Sequence, residues 1–227
     1  MERTFCENKP IKGIDNAISQ YLHSLFVSIT NVKSTYIRFD GSDEQKDLEH
    51  VERVFAYELY HQWCNNPIIS NNKELVINAE IPKVLIDEVR QNEKPLMYPD
   101  LVLHYGQNVY KGNLIICEIK RERYVHQDPT KLFDDLIKLR MYLSSELKVK
   151  DRDDWEPFKL GVFVMTIRKD ILSKFSISML KDYLNGAKSI NPQNTIPNDD
   201  LNKRIVCIVY NGNVLKFDTL NNIIKKL

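Results

Sequence analysis

The sequence predicts an α/β fold: a mixed central sheet flanked by helices. Three observations carry that expectation. Apolar residues recur at three- and four-residue steps in several long segments, the period of amphipathic helices. Short apolar runs rich in Val, Ile and Leu stand between them, the pattern of buried strands. Helical and strand patterns alternate along the chain, with no repeat, low-complexity tract or linker to divide it, so one α/β domain over 1–227 is the simplest arrangement.

The elements follow in order. Over 14–30, Ile18, Leu22, Leu25, Phe26 and Ile29 mark one helical face. Phe39-Asp40-Gly41 interrupts the pattern, and 1–41 reads as an N-terminal helical extension. A second helix is expected over 43–64, with Ser42 and Gln45 as a capping box and Leu48, Val51, Phe55, Leu59 and Gln62 along one face. Strands are expected over 74–80, 96–105 and 113–120, the last two joined by a turn over 106–112. The stripe of Leu132, Leu136, Leu139 and Leu143 predicts a helix over 129–147. A strand over 159–167 follows, then a helix over 170–184 that stops near Gly186. Residues 189–202, rich in Asn, Pro and Asp, read as the longest loop. Strands over 204–210 and 213–217 flank the hairpin signal Asn211-Gly212.

Composition narrows the class. Hydrophobic residues make up 43% and charged residues 28% of the chain, as in ordinary globular proteins. No apolar run approaches the roughly 18 residues of a membrane span, and Met1 to Pro10 is too polar for a secretory signal. The expected location is the cytoplasm. Cys6, Cys64, Cys117 and Cys207 form no CxxC pair, which argues against structural zinc. Cys117 and Cys207, inside apolar runs, read as buried reduced thiols. The net charge is +1, from 32 basic and 31 acidic residues. A nucleic-acid binder on this balance needs a local basic patch.

One constellation carries chemistry. Pairing about a turn centred near residue 109 places Asp100 roughly opposite Glu118. Side-chain alternation puts Glu118 and Lys120 on one face and Ile119 on the other. Two carboxylates and an ammonium thus meet at the end of an apolar strand, where they require mutual pairing, solvent or a metal. Two hard oxygen ligands suit Mg²⁺, which keeps several waters. Such an ion offsets phosphate charge and activates a water, and an adjacent ammonium stabilises developing charge.

Pro99-Asp100 followed by Glu118-Ile119-Lys120, each on a strand, resembles the signature of PD-(D/E)XK, or restriction-endonuclease-like, nucleases. The helix around Tyr57-Glu58-Leu59-Tyr60-His61-Gln62 fits the family's upstream acidic helix, and Phe133 to Leu139 resembles the helix that often follows the motif. The likeness covers about 42–168, with 169–227 as a C-terminal helix and hairpin, and is nearest to bacterial members without an assigned role. It implies Asp100, Glu118 and the Ile119 carbonyl as ligands of Mg²⁺ or Mn²⁺, with Lys120 positioning the attacking water. Glu58 is the choice for the helical acid because its setting is the one similar to family members. Glu52 is the rival, since both flank the same apolar stripe. The implied activity is metal-dependent hydrolysis of nucleic acid, with DNA the expected substrate. A homodimer is compatible with it, and from the lack of a long apolar run no membrane partner is expected.

Blander readings stand beside these. Glu118 and Lys120 could form an intrastrand ion pair at a solvated strand end. Pro-Asp often marks a turn. Glu58 could be an ordinary helix-rim carboxylate. Arg121, Arg123 and Lys131, with Lys138 and Arg140, could contact phosphates or form a solvated face interleaved with Glu122, Asp134 and Asp135. His126 falls on an expected loop. Tyr57, Tyr60 and Trp63 could stack bases or pack in the core. The alternative to an enzyme is a non-catalytic nucleic-acid-binding or protein-interaction scaffold of the same fold.

Overall fold

The computed structural model describes residues 3–4, 14–37, 46–79, 99–106, 112–145, 156–167 and 175–225. The capping box at Ser42 and Gln45, Cys6 and the stretch 80–98 lie outside them. In chain order the elements are β1 (Arg3–Thr4), α1 (Asn16–Asn31), α2 (Lys46–Cys64), α3 (Pro67–Ser70), β2 (Leu75–Ala79), β3 (Leu101–Tyr105) and β4 (Asn113–Arg121). There follow α4 (Glu122–Gln127), α5 (Thr130–Leu143), β5 (Leu160–Thr166), α6 (Ser178–Ile190), β6 (Ile205–Tyr210), β7 (Leu215–Thr219) and α7 (Leu220–Ile224).

The strands form one mixed sheet in the order β1-β7-β6-β5-β4-β3-β2. The meander β2-β3-β4 is antiparallel, β4-β5-β6 is parallel, and β7 and β1 return antiparallel at the far side. Every residue of β5 and β6 is buried. That is the signature of parallel strands covered on both faces, and it explains their unbroken apolar sequences. One face, with Ile115, Cys117, Ile119, Val162 and Ile208, packs against Leu22, Leu25 and Ile29 of α1 and Phe55, Leu59 and Trp63 of α2. The other, with Ile116, Phe163, Met165 and Val209, packs against Leu132, Leu136 and Leu139 of α5 and Leu180 and Leu184 of α6. Each such aliphatic side chain contributes about 1.5–3 kcal/mol by leaving water.

Polar residues fix the α1–α2 layer. Trp63 Nε1 donates to Ser24 Oγ at 2.9 Å, and Ser24 Oγ donates to the Tyr21 carbonyl at 2.7 Å. Asp15 caps α1 by accepting from Ala17 N at 2.8 Å, which satisfies an otherwise orphaned helix N–H.

Several expectations need correction. Strand β3 begins at Leu101, so Asp100 stands just before the strand and not on it; α5 ends at Leu143; and residues 175–177 of the helix expected over 170–184 precede α6. The chain does not leave its helix at Gly186; α6 continues to Ile190. The glycine there serves packing, since a Cβ would lie 3.2 Å from Pro129 Cγ. Residues 122–127 form the short helix α4, so His126 is helical and not on a loop. The second strand of the last hairpin runs to Thr219 and leads into α7, which periodicity over so few residues does not reveal. The hairpin itself follows its signal: Gly212 adopts φ +87°, and Asn211 Oδ1 accepts from Val214 N at 2.9 Å.

A buried carboxylate–ammonium cluster at the end of β4

Strand β4 joins the antiparallel and parallel halves of the sheet. Its carboxyl end is where open α/β sheets place their ligands. The Leu101↔Cys117 register sets Asp100 beside Glu118. Asp100 N donates to the Cys117 carbonyl at 3.1 Å, and Asp100 Oδ2 accepts from Ile119 N at 2.6 Å. A strand residue directs its N–H and C=O to the same side, so the Ile119 carbonyl also faces the Asp100 edge. Ile119 itself is fully buried in the α1–α2 core.

Alternation directs Glu118 and Lys120 to the other face, toward α5. Glu118 is 2% exposed, and its Oε1 lies 2.6 Å from Lys138 Nζ of α5. Lys120 Nζ bridges two helices, at 3.3 Å from Glu52 Oε1 of α2 and 3.5 Å from Asp135 Oδ2 of α5. Glu52 Oε2 also accepts from Arg121 N at 3.3 Å. Asp100, Glu118, Glu52 and Asp135 therefore share one site with Lys120 and Lys138.

Among the described residues the cluster sets four carboxyls, Asp100, Glu118, Glu52 and Asp135, beside two ammoniums. Burial raises all four carboxyls above their ordinary pKa values. Asp100 is pushed up to about 6, by burial first and then by the Glu52 charge, against the pull of the Ile119 N–H and the two ammoniums. Glu118 is raised well above the usual range by burial, despite Lys138. Burial pulls Lys120 downward, yet the charges of Asp135, Glu52, Asp100 and Glu118 outweigh it and hold the ammonium more tightly than usual. A buried group with more carboxylate than ammonium is what a hard divalent cation would complete. Asp100 and Glu118, with the Ile119 carbonyl on the same edge, are the oxygen donors that could hold such an ion. Among the described residues, no three His, Cys, Asp or Glu side chains already converge tightly enough to hold one. Ammonium groups stand between the carboxylates instead.

The sequence-predicted residues divide. Asp100, Glu118 and Lys120 come together. The helical acid beside them is Glu52. Glu58, six residues and about 9 Å further along the helix axis, accepts from Gln62 Nε2 at 2.7 Å and lies 3.8 Å from His61 Nδ1. Arg121 is buried, as are Lys138 and Arg140, so none of these presents a surface charge to phosphate. Arg123 is half-buried, and Lys131 is exposed with its ammonium 5.1 Å from the Tyr124 ring centroid. Trp63 is core and Tyr57 is exposed. Asp135 and Lys138 enter the site without having been assigned to it. The available signal was their i,i+3 spacing beside the Leu132-Leu136-Leu139 stripe, which puts both on the rim facing β4.

No protein-family model matches the chain, and neither a curated protein nor a solved structure matches it.

Proposed function

We propose that the chain is a metal-dependent nuclease of the PD-(D/E)XK type that hydrolyses phosphodiester bonds of nucleic acid, with DNA the first substrate to test. The observation that carries this reading is the buried site at the end of β4, where Asp100, Glu118 and Lys120 meet with carboxylate in excess of ammonium. The order α2-β2-β3-β4-α5-β5, with an antiparallel meander followed by a parallel crossover, supports it as well.

Asp100, Glu118 and the Ile119 carbonyl would hold Mg²⁺ or Mn²⁺. Bound there, the ion supplies positive charge to the phosphate oxygens and an activated water. The chain's own groups do the positioning. The Ile119 N–H holds the Asp100 carboxylate against the edge of β4. Lys120 is held between Glu52 and Asp135, so its ammonium stays charged and aimed at the site, where it orients the attacking water and offsets charge developing on the phosphate oxygens. The water oxygen bonds to phosphorus and gives up a proton to solvent as the P–O bond opposite it breaks, and the leaving oxygen takes up a proton from solvent.

Cleavage of plasmid and single-stranded DNA with Mg²⁺ or Mn²⁺ tests this. Asp100→Ala, Lys120→Ala and Glu52→Gln each lower the rate by about 100-fold or more; Glu58→Gln leaves it within a few-fold. Equal cutting by wild type and Lys120→Ala would sink the assignment. A non-catalytic scaffold is the second reading. It is favoured by the Glu118–Lys138 pair, which partly neutralises the site, and by the burial of Arg121, which thins the basic surface. On that reading wild type cuts nothing; DNA affinity that falls steeply with salt would then mark a nucleic-acid scaffold, and its absence a protein one.

A further inference from the structure

Lys138 is the part of the cluster that the nuclease reading leaves without a task. Its side chain is 9% exposed and that of Glu118 3%, and the two lie 2.6 Å apart. Each makes the other's burial tolerable, because a lone charge in that position would cost several kcal/mol. Mg²⁺ binds carboxylate oxygen at about 2.0–2.1 Å, so an ion on the same oxygen would stand within about 5 Å of the ammonium, close enough for like charges to repel strongly away from water. An ion on Glu118 Oε1 and the ammonium in its present place would therefore oppose each other.

We infer that Lys138 is a resident counter-ion: it neutralises Glu118 in the metal-free protein, must withdraw when a divalent cation binds, and so sets the metal concentration at which the site fills. This rests on the metal-dependent reading above. The helix offers the withdrawn ammonium a new partner. Asp135 lies three residues earlier on the same side of α5 and already senses the Lys138 charge. Lys138 is thus a positioning residue for the metal site. It stabilises the empty cluster at the expense of cation affinity.

The test measures binding and stability of the full chain, without reference to cleavage. Free Mn²⁺ is followed by its electron paramagnetic resonance signal, and melting is recorded in EDTA and in Mn²⁺, for wild type, Lys138→Met, Lys138→Gln, Lys138→Arg and Asp100→Ala. Lys138→Met keeps the length of the side chain and removes its charge. The expected result is Mn²⁺ binding about tenfold tighter or more than wild type, a lower melting temperature in EDTA, and a larger rise on adding Mn²⁺. Lys138→Arg, which keeps the charge, binds no tighter than wild type. A merely structural Lys138 would lower the melting temperature by the same amount with and without Mn²⁺, and that result overturns the inference. Should Lys138→Met not fold in either solution, Lys138→Gln decides by the same criteria. Wild-type binding that Asp100→Ala abolishes, together with unchanged or weaker binding by the neutral variants, sinks the counter-ion role and leaves the metal site standing. Binding by the neutral variants but not by wild type supports the inference. No binding by any folded variant removes both.

Discussion

Asp100 occupies a position where a charged carboxylate is costly to the fold. Its pKa is raised from the ordinary 3.8 to about 6, chiefly by burial. The folded protein therefore binds this proton more tightly than the unfolded chain does. Stability from this group is highest below about pH 4, falls as pH rises through about 6, and stays reduced above it. Asn at 100 can still accept from the Ile119 N–H while carrying no charge. In EDTA, Asp100→Asn should exceed wild type in stability at pH 7.5 by up to about 3 kcal/mol, and the gap should close as pH falls to about 4. Urea unfolding across that range reads it directly. A gap that does not change with pH would mean that the charge of Asp100 is not the source. The two glutamates on α2 make the same point about local setting. Glu52 meets Lys120 and the Arg121 N–H, whereas Glu58 meets only its own helix among the contacts described above.

Helix α5 does two jobs at the scale of an element. Midway along it Asp135 and Lys138 supply the cluster; in its last turn Arg140 anchors the loop that follows α6. The Arg140 guanidinium makes a fork to Asp199, with Nη1 to Oδ1 at 2.9 Å and Nη2 to Oδ2 at 2.5 Å, and also donates to Asn202 Oδ1. Arg140 is buried although Asp199 is half in solvent. Arg140→Ala leaves the buried Asn202 without this donor and frees the Asn- and Pro-rich segment 191–199, at a cost of about 2–4 kcal/mol. Arg140→Lys should not restore it, because one ammonium cannot reproduce the two-point contact. Urea unfolding with limited proteolysis checks both. Cleavage should appear within 191–199 in the variants, and unchanged stability would show the fork to be idle.

For the whole molecule, the sheet is the shared partner of two cores. Leu25 faces it from α1 and Leu139 from α5, and both are fully buried. Leu25→Ala and Leu139→Ala should each destabilise by about 2–5 kcal/mol. If the chain folds as one domain, both lower the same single unfolding transition, because neither helical layer retains its partner when the sheet is lost. Calorimetry that resolves two transitions, each sensitive to only one variant, would divide the chain into separate units. Among the described residues no helix is long and apolar enough to cross a membrane.

Much of this organisation was legible in the residues themselves. The α/β class follows from alternating periods of apolar residues, since burying one helix stripe or both strand faces is what fixes those periods. Asp100 beside Glu118, and Lys120 on Glu118's face, follow from hairpin pairing and strand alternation, both short-range geometry. The sequence could not choose between Glu52 and Glu58, because each flanks the same stripe and only the crossing of α2 over the end of β4 decides which carboxylate meets Lys120. Nor could it mark Asp135 and Lys138 as members of the site, or turn Lys138, Arg140 and Arg121 inward from what reads as a basic surface. Local sequence sets which residues share a strand or a helix face. Which faces meet, and hence which charges must neutralise each other away from water, is set only when the helices dock on the sheet.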